Sequence, residues 1–345
     1  MDRLMNLKEL AQHLNLSPTT VSRALNGYPE VKETTRRRVE EAAREFNYMP
    51  NAWAKGLATG RSMSIGHVMP TSKMHEMVNP VFGDFITGAS ETYVKEGYDL
   101  KLTPVDDGDE AQRYRALRTR GNVDGFIVHG PHLTDGRIAL LREIGLPFVV
   151  HGRASNMPAD YPWIDMNNRR AFERATALLI ELGHRRIALV NGLEHMDFAH
   201  RRREGFLAAL ASHGLVPDPA LMRGGEMTER LGYRAAADML DGTSPPTAFL
   251  VSSMVTAIGV RRALHERGLE LGRDVSVIIH DDDLGYLRNG DDVPIFTATR
   301  ASVREAGRRA AEMLLRMIRD PACAPLQSLM EAELILGRST GPAPR

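Results

Sequence analysis

Several polar side chains with DNA-binding chemistry lie within one short stretch near the start of the chain. Ser17 and Pro18 mark the first turn of a helix, because serine caps a helix amino terminus and proline suits the first helical position. The outward-facing side chains of this helix, and of the turn that follows it, are Thr19, Thr20, Ser22, Arg23 and Asn26. Arginine can donate two hydrogen bonds to guanine, and short polar side chains bind phosphates. These residues therefore have the chemistry that contact with a DNA duplex requires.

Three short helices would position these side chains. Apolar residues at helical spacing predict a first helix over 7–14, with Asn6 as its N-cap, and a third helix from about 32 to 46. The second helix, 18–25, follows a tight turn and stops at Asn26 and Gly27. This arrangement is typical of a helix-turn-helix unit, whose second helix enters the major groove. A solvated polar face on an ordinary three-helix bundle is the alternative interpretation.

The composition indicates a folded protein with more than one compact unit. The chain has 345 residues, of which 43% are hydrophobic, and its formal net charge is zero. Residues 1–62 contain ten lysines and arginines against seven acidic residues, a net charge of +3, which leaves −3 for the remainder. A basic segment on an acidic body fits a DNA contact at one end of the molecule, although the asymmetry is small.

Other features exclude several classes of protein. Cys323 is the only cysteine, so we expect neither an internal disulfide nor a cysteine-based metal site. The first residues lack the basic and apolar regions of a signal peptide, and no run of 18 apolar residues occurs. We therefore expect a cytoplasmic protein that does not contact a membrane.

From residue 63 onward, apolar runs alternate with amphipathic segments. Strands are predicted at 64–69, 99–105, 125–129, 147–151, 186–191, near 221, 248–252, 275–280, 294–299 and 328–336. Helices are predicted between them at 81–96, 109–120, 134–144, 170–182, 198–213, 229–240, 255–267 and 302–318. This alternation is typical of an α/β fold with parallel sheets. Two such blocks indicate two lobes, with a ligand cleft at the carboxyl ends of the strands.

No catalytic arrangement is evident in this body. The run from His280 to Asp283 has a metal-binding composition, but a tight turn cannot easily aim all four side chains at one ion. Ser155, Ser252 and Ser253 have no accompanying histidine and acid in the arrangement that activates a nucleophile. We therefore expect no enzymatic activity, no cofactor and no metal.

The amino-terminal residues resemble the lactose/galactose repressor family. The resemblance lies in the runs LKELA (7–11), LSPTTVSRALN (16–26), NYMPN (47–51) and AKGL (54–57). It implies that Thr19 and Arg23 read bases, and that a hinge helix over 50–58 places Leu57 in the minor groove, where an apolar side chain kinks DNA. Two residues depart from the family pattern: Lys32 stands where a serine cap is common, and Gly56 weakens the hinge helix.

The resemblance covers nearly the whole chain and implies a domain organisation. Residues 1–49 would form the helix-turn-helix headpiece, 50–61 the hinge and linker, and 62–345 an effector-binding and dimerisation body. The body would take a two-lobed, periplasmic-binding-protein-like fold in which the chain crosses between the lobes three times. We expect lobe one to contain about 62–162 and 294–325, and lobe two about 163–293 and 326–340.

A sugar is the effector that the predicted cleft residues favour, because sugars need carboxylates, arginines and amides for their hydroxyls and an aromatic ring for their apolar face. By resemblance to family positions, Arg202 and Asp281 would bind neighbouring hydroxyls, although each residue alone could form a structural salt bridge instead. Ser253 stands where many members have asparagine, which suggests a differently shaped pocket. Strand ends and one aromatic position of the first lobe add weaker candidates: His129, His151, Arg153 and Phe82.

Three further runs resemble regulators of α-glucoside use in rhizobia and their relatives: HEMVNP (75–80), VHGR (150–153) and RNG (288–290). They favour an α-glucoside or other disaccharide as effector, and a simple hexose stays open as an alternative.

The resemblance implies a sugar-responsive transcriptional repressor that binds a pseudo-palindromic operator as a homodimer and is released by its effector. A different small effector, or a corepressor acting in the opposite direction, is an alternative within the same role. A solute-binding transport component would share the two-lobed body, but the headpiece argues against it. A sugar-processing enzyme would need a paired acid and base, and this sequence shows no such pair. Tetramers of the family use a leucine-repeat helix that residues 337–342 cannot form, so we expect a dimer.

Overall fold

The computed structural model describes residues 5–25, 27–48, 61–70, 79–106 and 108–344. The chain divides into two compact units, Met1–Met63 and Ser64–Arg345. Two predicted DNA-contacting residues, Asn26 and Leu57, lie outside the described residues, as does the predicted hinge helix.

The amino-terminal unit contains three helices: α1 (Leu7–Leu14), α2 (Pro18–Leu25) and α3 (Glu33–Glu45). Asn6 caps α1 as predicted, because its side chain accepts a hydrogen bond from the Glu9 amide at 3.1 Å while the Glu9 carboxylate accepts one from the Asn6 amide at 2.9 Å. One apolar side of each helix is buried in a common core: Leu10, Ala11, Leu14, Val21, Ala24, Val39, Ala42 and Ala43.

The caps of the next two helices differ. Ser17 accepts a hydrogen bond from the Thr20 amide at 3.0 Å, so α2 begins with a capped turn. Lys32 precedes α3 and makes no side-chain capping bond. The structure thus confirms that the replacement of a serine cap by lysine leaves the start of α3 without this stabilisation.

The first lobe of the larger unit is built on a six-stranded sheet in the order β11-β5-β4-β3-β1-β2. Its strands are β1 (Ser64–Pro70), β2 (Asp99–Val105), β3 (Gly125–His129), β4 (Phe148–His151), β5 (Trp163–Met166) and β11 (Gln327–Met330). Every neighbouring pair is parallel. The helices of this lobe are α4 (Pro80–Glu96), α5 (Glu110–Thr119), α6 (Gly136–Ile144) and α11 (Val303–Arg319).

The second lobe repeats this plan with the strand order β12-β10-β9-β8-β6-β7. Its strands are β6 (Ile187–Asn191), β7 (Met222–Gly224), β8 (Ala248–Val251), β9 (Ser276–Asp281), β10 (Thr297–Arg300) and β12 (Glu333–Ile335). All neighbours are parallel except β10 and β12. The helices are α7 (Asn168–Glu181), α8 (Asp197–Ser212), α9 (Glu229–Leu240) and α10 (Met254–Glu266). The two-lobed α/β body with parallel sheets is therefore as predicted.

The predicted lobe boundaries need correction at all three crossings. Strand β5, placed in lobe two from the sequence, pairs with β4 and β11 of lobe one. Strand β10, placed in lobe one, pairs with β9 of lobe two. The single strand predicted over 328–336 is two strands, β11 and β12, one in each sheet. The chain therefore crosses after β5, after β10 and between β11 and β12.

Among the residues that the structure describes, no helix is both long enough and apolar enough to span a membrane.

Candidate functional site

The outward face of α2 carries the polar residues predicted to contact DNA. Thr19 and Arg23 are exposed and lie one turn apart, whereas Thr20 and Ser22 are partly buried. The Thr20 hydroxyl lies 2.8 Å from that of Ser17, so this side chain also takes part in the helix cap. The geometry leaves Thr19 and Arg23 as the most accessible groups on this face.

A cavity of about 430 Å³ lies in the cleft of the larger unit, within the size range of small-molecule sites. Both lobes line it, chiefly through residues at the carboxyl ends of their parallel strands, the edge at which α/β sheets bind ligands. Lobe one contributes Phe82, Phe85, His129, His151, Ile164 and Asp165. Lobe two contributes Asn168, Phe198, Arg202, Ser252, His280 and Asp282, among others.

Arg202, on α8, is held firmly at the base of this cavity. Its Nε donates to Oδ1 of Asn168 at 2.8 Å and its Nη1 donates to the Ser252 carbonyl at 2.7 Å. The guanidinium carbon lies 5.2 Å from the ring centre of Phe172 and 5.0 Å from that of Phe198. Burial lowers the pKa of Arg202 to about 10 against the opposing effect of nearby carboxylates, so the side chain stays charged at neutral pH. Nη2 makes no hydrogen bond within the described residues and is left for a ligand.

Asp282 supplies a carboxylate to the same cavity. Its Oδ1 lies 3.5 Å from Nε2 of His280, and its side chain is 16% exposed. Burial acts to raise the pKa of Asp282, but the contact with His280 and the charge of Arg202 outweigh burial and hold that pKa below its usual range. An ionised carboxylate and a guanidinium therefore face one cavity, as an acceptor and a donor for neighbouring hydroxyls.

Asp281, the predicted ligand carboxylate, does not line this cavity. It is 2% exposed, accepts a hydrogen bond from the Asp283 amide at 3.0 Å, and lies 3.2 Å from Nε of Arg300. Because successive side chains at the end of β9 alternate in direction, His280 and Asp282 face the cavity and Asp281 does not. The carboxylate that lines the cavity is therefore one residue further along the chain than the one that the sequence analysis favoured.

Ser253, another predicted ligand residue, does not line the cavity either. Its Oγ accepts a hydrogen bond from the Thr256 amide at 3.2 Å and caps α10. The neighbouring Ser252 lines the cavity instead, and its hydroxyl donates to Oδ1 of Asn191 at 2.7 Å. Ser253 therefore serves the helix cap and does not line the cavity.

Arg153 also lies outside the cavity lining. Its Nε donates to Oδ2 of Asp165 at 2.7 Å, and its guanidinium carbon lies 4.8 Å from the ring centre of Trp163. Asp165 itself lines the cavity, and burial raises its pKa despite the ion pair. Arg153 therefore holds a cavity residue in place and does not reach the ligand space.

The remaining lobe-one predictions, Phe82, His129 and His151, do line the cavity. The ring of Phe82 meets that of His129 edge-on at 5.0 Å, and Phe85 stacks on His151 at 4.3 Å. Burial lowers the pKa of His151 to about 4 and that of His129 well below 6.5, so both rings are neutral at physiological pH. They can form hydrogen bonds with a ligand without adding charge.

Sequence reasoning missed several polar groups that line the cavity, among them Asp165, Asn168 and His280. Asp165 lies in β5, a strand that the sequence analysis did not recognise, and Asn168 is the first residue of α7, which follows it. The apolar Trp163 and Ile164, followed by polar residues, were the available signal. Among the described residues, no group of three or more histidine, cysteine or acidic side chains could hold a metal ion.

Comparisons with known proteins agree with this architecture. Residues 6–51 match the family described as bacterial regulatory proteins, lacI family, and residues 176–340 match a periplasmic binding protein-like domain. The HTH-type transcriptional regulator AglR of Rhizobium meliloti (strain 1021) is 47% identical over 345 residues, which cover 99% of this chain and 95% of that protein. This chain belongs to the lacI family of bacterial regulatory proteins.

Other relatives cover most of the chain. The HTH-type transcriptional regulator RafR of Escherichia coli is 34% identical over 94% of this chain and 95% of its own length. A structure of the transcriptional regulator CelR in complex with cellobiose superposes with a TM-score of 0.72 at 26% identity, covering 97% of this chain and 99% of that one. The protein is therefore a DNA-binding transcriptional regulator, as the headpiece predicted.

A dimer of the lac repressor bound to operator and anti-inducer gives a TM-score of 0.83 at 23% identity, with 98% of this chain and 100% of that one covered. This likeness supports the fold alone.

Proposed function

We propose that this regulator is a repressor whose operator binding is controlled by a sugar, most simply an α-glucoside or other disaccharide, bound in the cleft between its lobes. One observation carries the proposal: a single cavity, lined by both lobes, combines the fixed guanidinium of Arg202, the carboxylate of Asp282 and the rings of Phe82 and Phe198. A sugar needs this combination, because it presents adjacent hydroxyls on its rim and C–H groups on its faces.

The polar groups are distributed so that a ligand would join the lobes. His129, His151 and Asp165 approach the cavity from lobe one, and Arg202 and Asp282 from lobe two. A ligand that contacts both sets stabilises the closed arrangement by its differential affinity for it. The solved complex of the relative CelR contains cellobiose, a disaccharide, which supports a sugar of this size.

In the amino-terminal unit, Thr19, Thr20, Ser22 and Arg23, together with Asn26 and Leu57, would contact the operator. We propose a homodimer, because two headpieces are needed to read the two halves of a pseudo-palindromic site. Effector binding would move the lobes, separate the two hinges and weaken operator binding. Linkage requires the effector to prefer the weak-binding state by about 1–3 kcal/mol or more.

A sugar screen on the full chain tests the proposal. Mono- and disaccharides are added to the protein, and the shift in melting temperature is measured, since a ligand of the folded state raises stability by mass action. Sugars that bind are then titrated into a protein–operator complex. We expect an α-glucoside disaccharide to bind and to release the operator. Tighter operator binding would make the sugar a corepressor, and the absence of any sugar ligand would contradict the proposal.

A further inference from the structure

We propose that Tyr93 and His67 form a hydrogen-bond relay that fixes His129 as a neutral N–H donor to the cleft ligand, so that the effector must present an acceptor oxygen at this point. The inference rests on the proposed ligand site and adds a rule of specificity to it. Tyr93 and His67 do not line the cavity, and they would act as positioning residues through His129.

Three elements of lobe one bring the relay together. His67 lies in the middle of β1, opposite Ile127 of β3, so His129, two residues further along β3, is on the same face of the sheet. Helix α4 covers that face and carries Tyr93. Nδ1 of His67 lies 2.9 Å from Nε2 of His129, and Nε2 of His67 lies 3.3 Å from the Tyr93 hydroxyl. His67 and Tyr93 are almost completely buried.

The direction of the relay follows from the tyrosine. His67 is the one hydrogen-bond partner of the Tyr93 hydroxyl among the described residues. If that hydroxyl accepted a hydrogen bond from His67, its own O–H would be buried without an acceptor, and orphaned buried donors are rarer in proteins than under-used acceptors. The Tyr93 O–H therefore donates to Nε2 of His67. The His67 proton must then be on Nδ1, from which it is donated to Nε2 of His129.

This order leaves His129 with its own proton on Nδ1. The ring lines the cavity, and Nδ1 makes no hydrogen bond within the described residues. Phe82 and Phe85 pack edge-on against the ring, with centroid distances of 5.0 and 4.9 Å, and so hold its plane. The available Nδ1–H group is therefore a fixed donor for a ligand oxygen.

The surroundings keep both rings uncharged. Burial lowers the pKa of His67 to about 3. Burial also lowers the pKa of His129 well below its usual value, and the charges of the neighbouring histidines and of Arg137 lower it further. A protonated His67 would place a charge in a buried site where neither hydrogen-bond partner is a carboxylate. The hydrogen bonds of the relay therefore run in the same direction across the physiological pH range, and Nδ1 of His129 does not become an acceptor.

The relay can be tested on the unliganded full chain by ¹⁵N-histidine NMR, in which the two neutral tautomers give distinct nitrogen shifts. We expect His67 and His129 both to be Nδ1–H from pH 5.5 to 8, the reverse of the Nε2–H form that free histidine favours. Tyr93→Phe removes the donor and should shift both rings toward Nε2–H together. Tyr114→Phe makes the same change in a buried tyrosine on the opposite face of this sheet and should leave both rings unchanged.

Two results would overturn the relay: an Nε2–H tautomer of His129 in the parent protein, or unchanged tautomers in Tyr93→Phe. Neither depends on a sugar, so the relay and the proposed function can fail separately.

The ligand rule is tested with maltose and its mono-deoxy and mono-deoxyfluoro derivatives, because fluorine keeps a weak acceptor and hydrogen does not. At the hydroxyl that faces His129, we expect the deoxy sugar to bind about tenfold more weakly and the fluoro sugar to recover part of that loss. The difference between the two derivatives should vanish in Tyr93→Phe. Equal losses for both derivatives at every position would contradict an acceptor requirement, and failure of maltose to bind would count against the ligand rule whatever the tautomer.

Discussion

Asp282 and Asp281 are neighbouring carboxylates with different roles. Asp282 faces the cavity beside His280, whereas Asp281 bonds to the Asp283 amide and to Arg300 within the protein. The first can accept a hydrogen bond from a ligand, and the second can only support the turn after β9. This difference makes the pair a matched test of the cleft.

Asp282→Asn should weaken sugar binding about 10–100-fold, because it removes the charge from a hydrogen bond to the ligand while preserving the shape of the side chain. Operator binding without sugar should be retained. Asp281→Asn should leave sugar affinity within about threefold and lower the melting temperature instead. Calorimetric titration and thermal unfolding measure the two effects. The opposite pattern would return the ligand contact to Asp281.

Arg23→Ala should relax base preference at one operator position by about 1–3 kcal/mol, because Arg23 is exposed on α2 and arginine discriminates guanine through two hydrogen bonds. Sugar affinity should not change. The control is Arg37→Ala on α3, where the arginine is also exposed and pairs with Glu33 at 3.3 Å. Binding to a set of operator variants at two salt concentrations separates base reading from phosphate attraction. A uniform loss across all variants would make Arg23 a phosphate contact.

At the scale of single residues, the sequence identified the chemistry of the site better than its positions. Arg202, His129, His151 and Phe82 were placed correctly in the cavity, because each lies at a strand end or on a helix facing it. Asp281 and Ser253 do not line the cavity, whereas their neighbours Asp282 and Ser252 do. Which of two consecutive polar residues faces a cleft depends on where the strand ends, and a sequence pattern locates that end only to within about two to four residues.

At the scale of elements, glycines decide how closely the paired helices approach. A Cβ atom added at Gly307 of α11 would lie 2.1 Å from the Phe85 carbonyl oxygen of α4, and one at Gly88 would lie 1.9 Å from the Arg304 carbonyl oxygen. The same closeness recurs in lobe two between α9 and α10, at Gly232 and Gly259. Each of these helix pairs thus meets backbone to backbone, which fixes α4 and the cavity residues that it carries.

Gly307→Ala should destabilise the protein by about 1–3 kcal/mol, because the backbone of α4 or α11 must move to admit the methyl group. Gly83→Ala is the matched control in α4, since nothing lies within 4 Å of its added Cβ. There the exchange should stabilise by about 0.5–1 kcal/mol through helix propensity. Urea unfolding compares the two. Equal effects of the two substitutions would show that the helix contact is not tight.

Most helices and strands could be predicted, because long apolar periods specify them locally. The sequence analysis missed β5 because this strand has only four residues, WIDM, which are too few to show the alternation of apolar and polar residues that indicates a strand. The segment 328–336 was read as one strand because Glu331 and Ala332 break the pairing without a glycine or proline to signal it. Which sheet a short strand joins depends on hydrogen bonds to strands that are distant in sequence. The local sequence therefore could not predict the lobe boundary at β5 or the one between β11 and β12.

At the scale of the whole molecule, the body holds several neutral histidines: His67, His129 and His280 are buried, and His151 is partly buried. Burial lowers the pKa of His67 to about 3 and that of His151 to about 4, and lowers the other two as well. The unfolded chain binds protons at these positions below about pH 6.5, whereas the folded protein binds them only at lower pH. Burying these histidines in the neutral form therefore costs no stability above about pH 6.5. As the pH falls from about 6.5 toward the pKa values that the histidines have in the folded protein, the free energy of unfolding decreases.

We expect unfolding at pH 5.5 to take up about three protons or more at these sites, with each histidine contributing up to about 1.4 kcal/mol per pH unit. The slope of the unfolding free energy against pH between 5 and 7.5, from urea titrations, gives the number directly. His67→Gln should reduce it by about one proton. A flat profile in the parent protein would mean that these histidines are protonated in the folded state.

The three crossings between lobes have a consequence for synthesis. One edge of β5 pairs with β11, and one edge of β10 pairs with β12. Both β11 and β12 are synthesised late, so these edges stay unpaired until then. Between residue 166 and residue 327, a ribosome adding about 5–20 residues per second needs roughly 8–30 s. For that time the nascent first lobe carries an unpaired strand edge, a template for pairing with another chain. Overproduction should therefore place this protein among the clients of ribosome-associated chaperones.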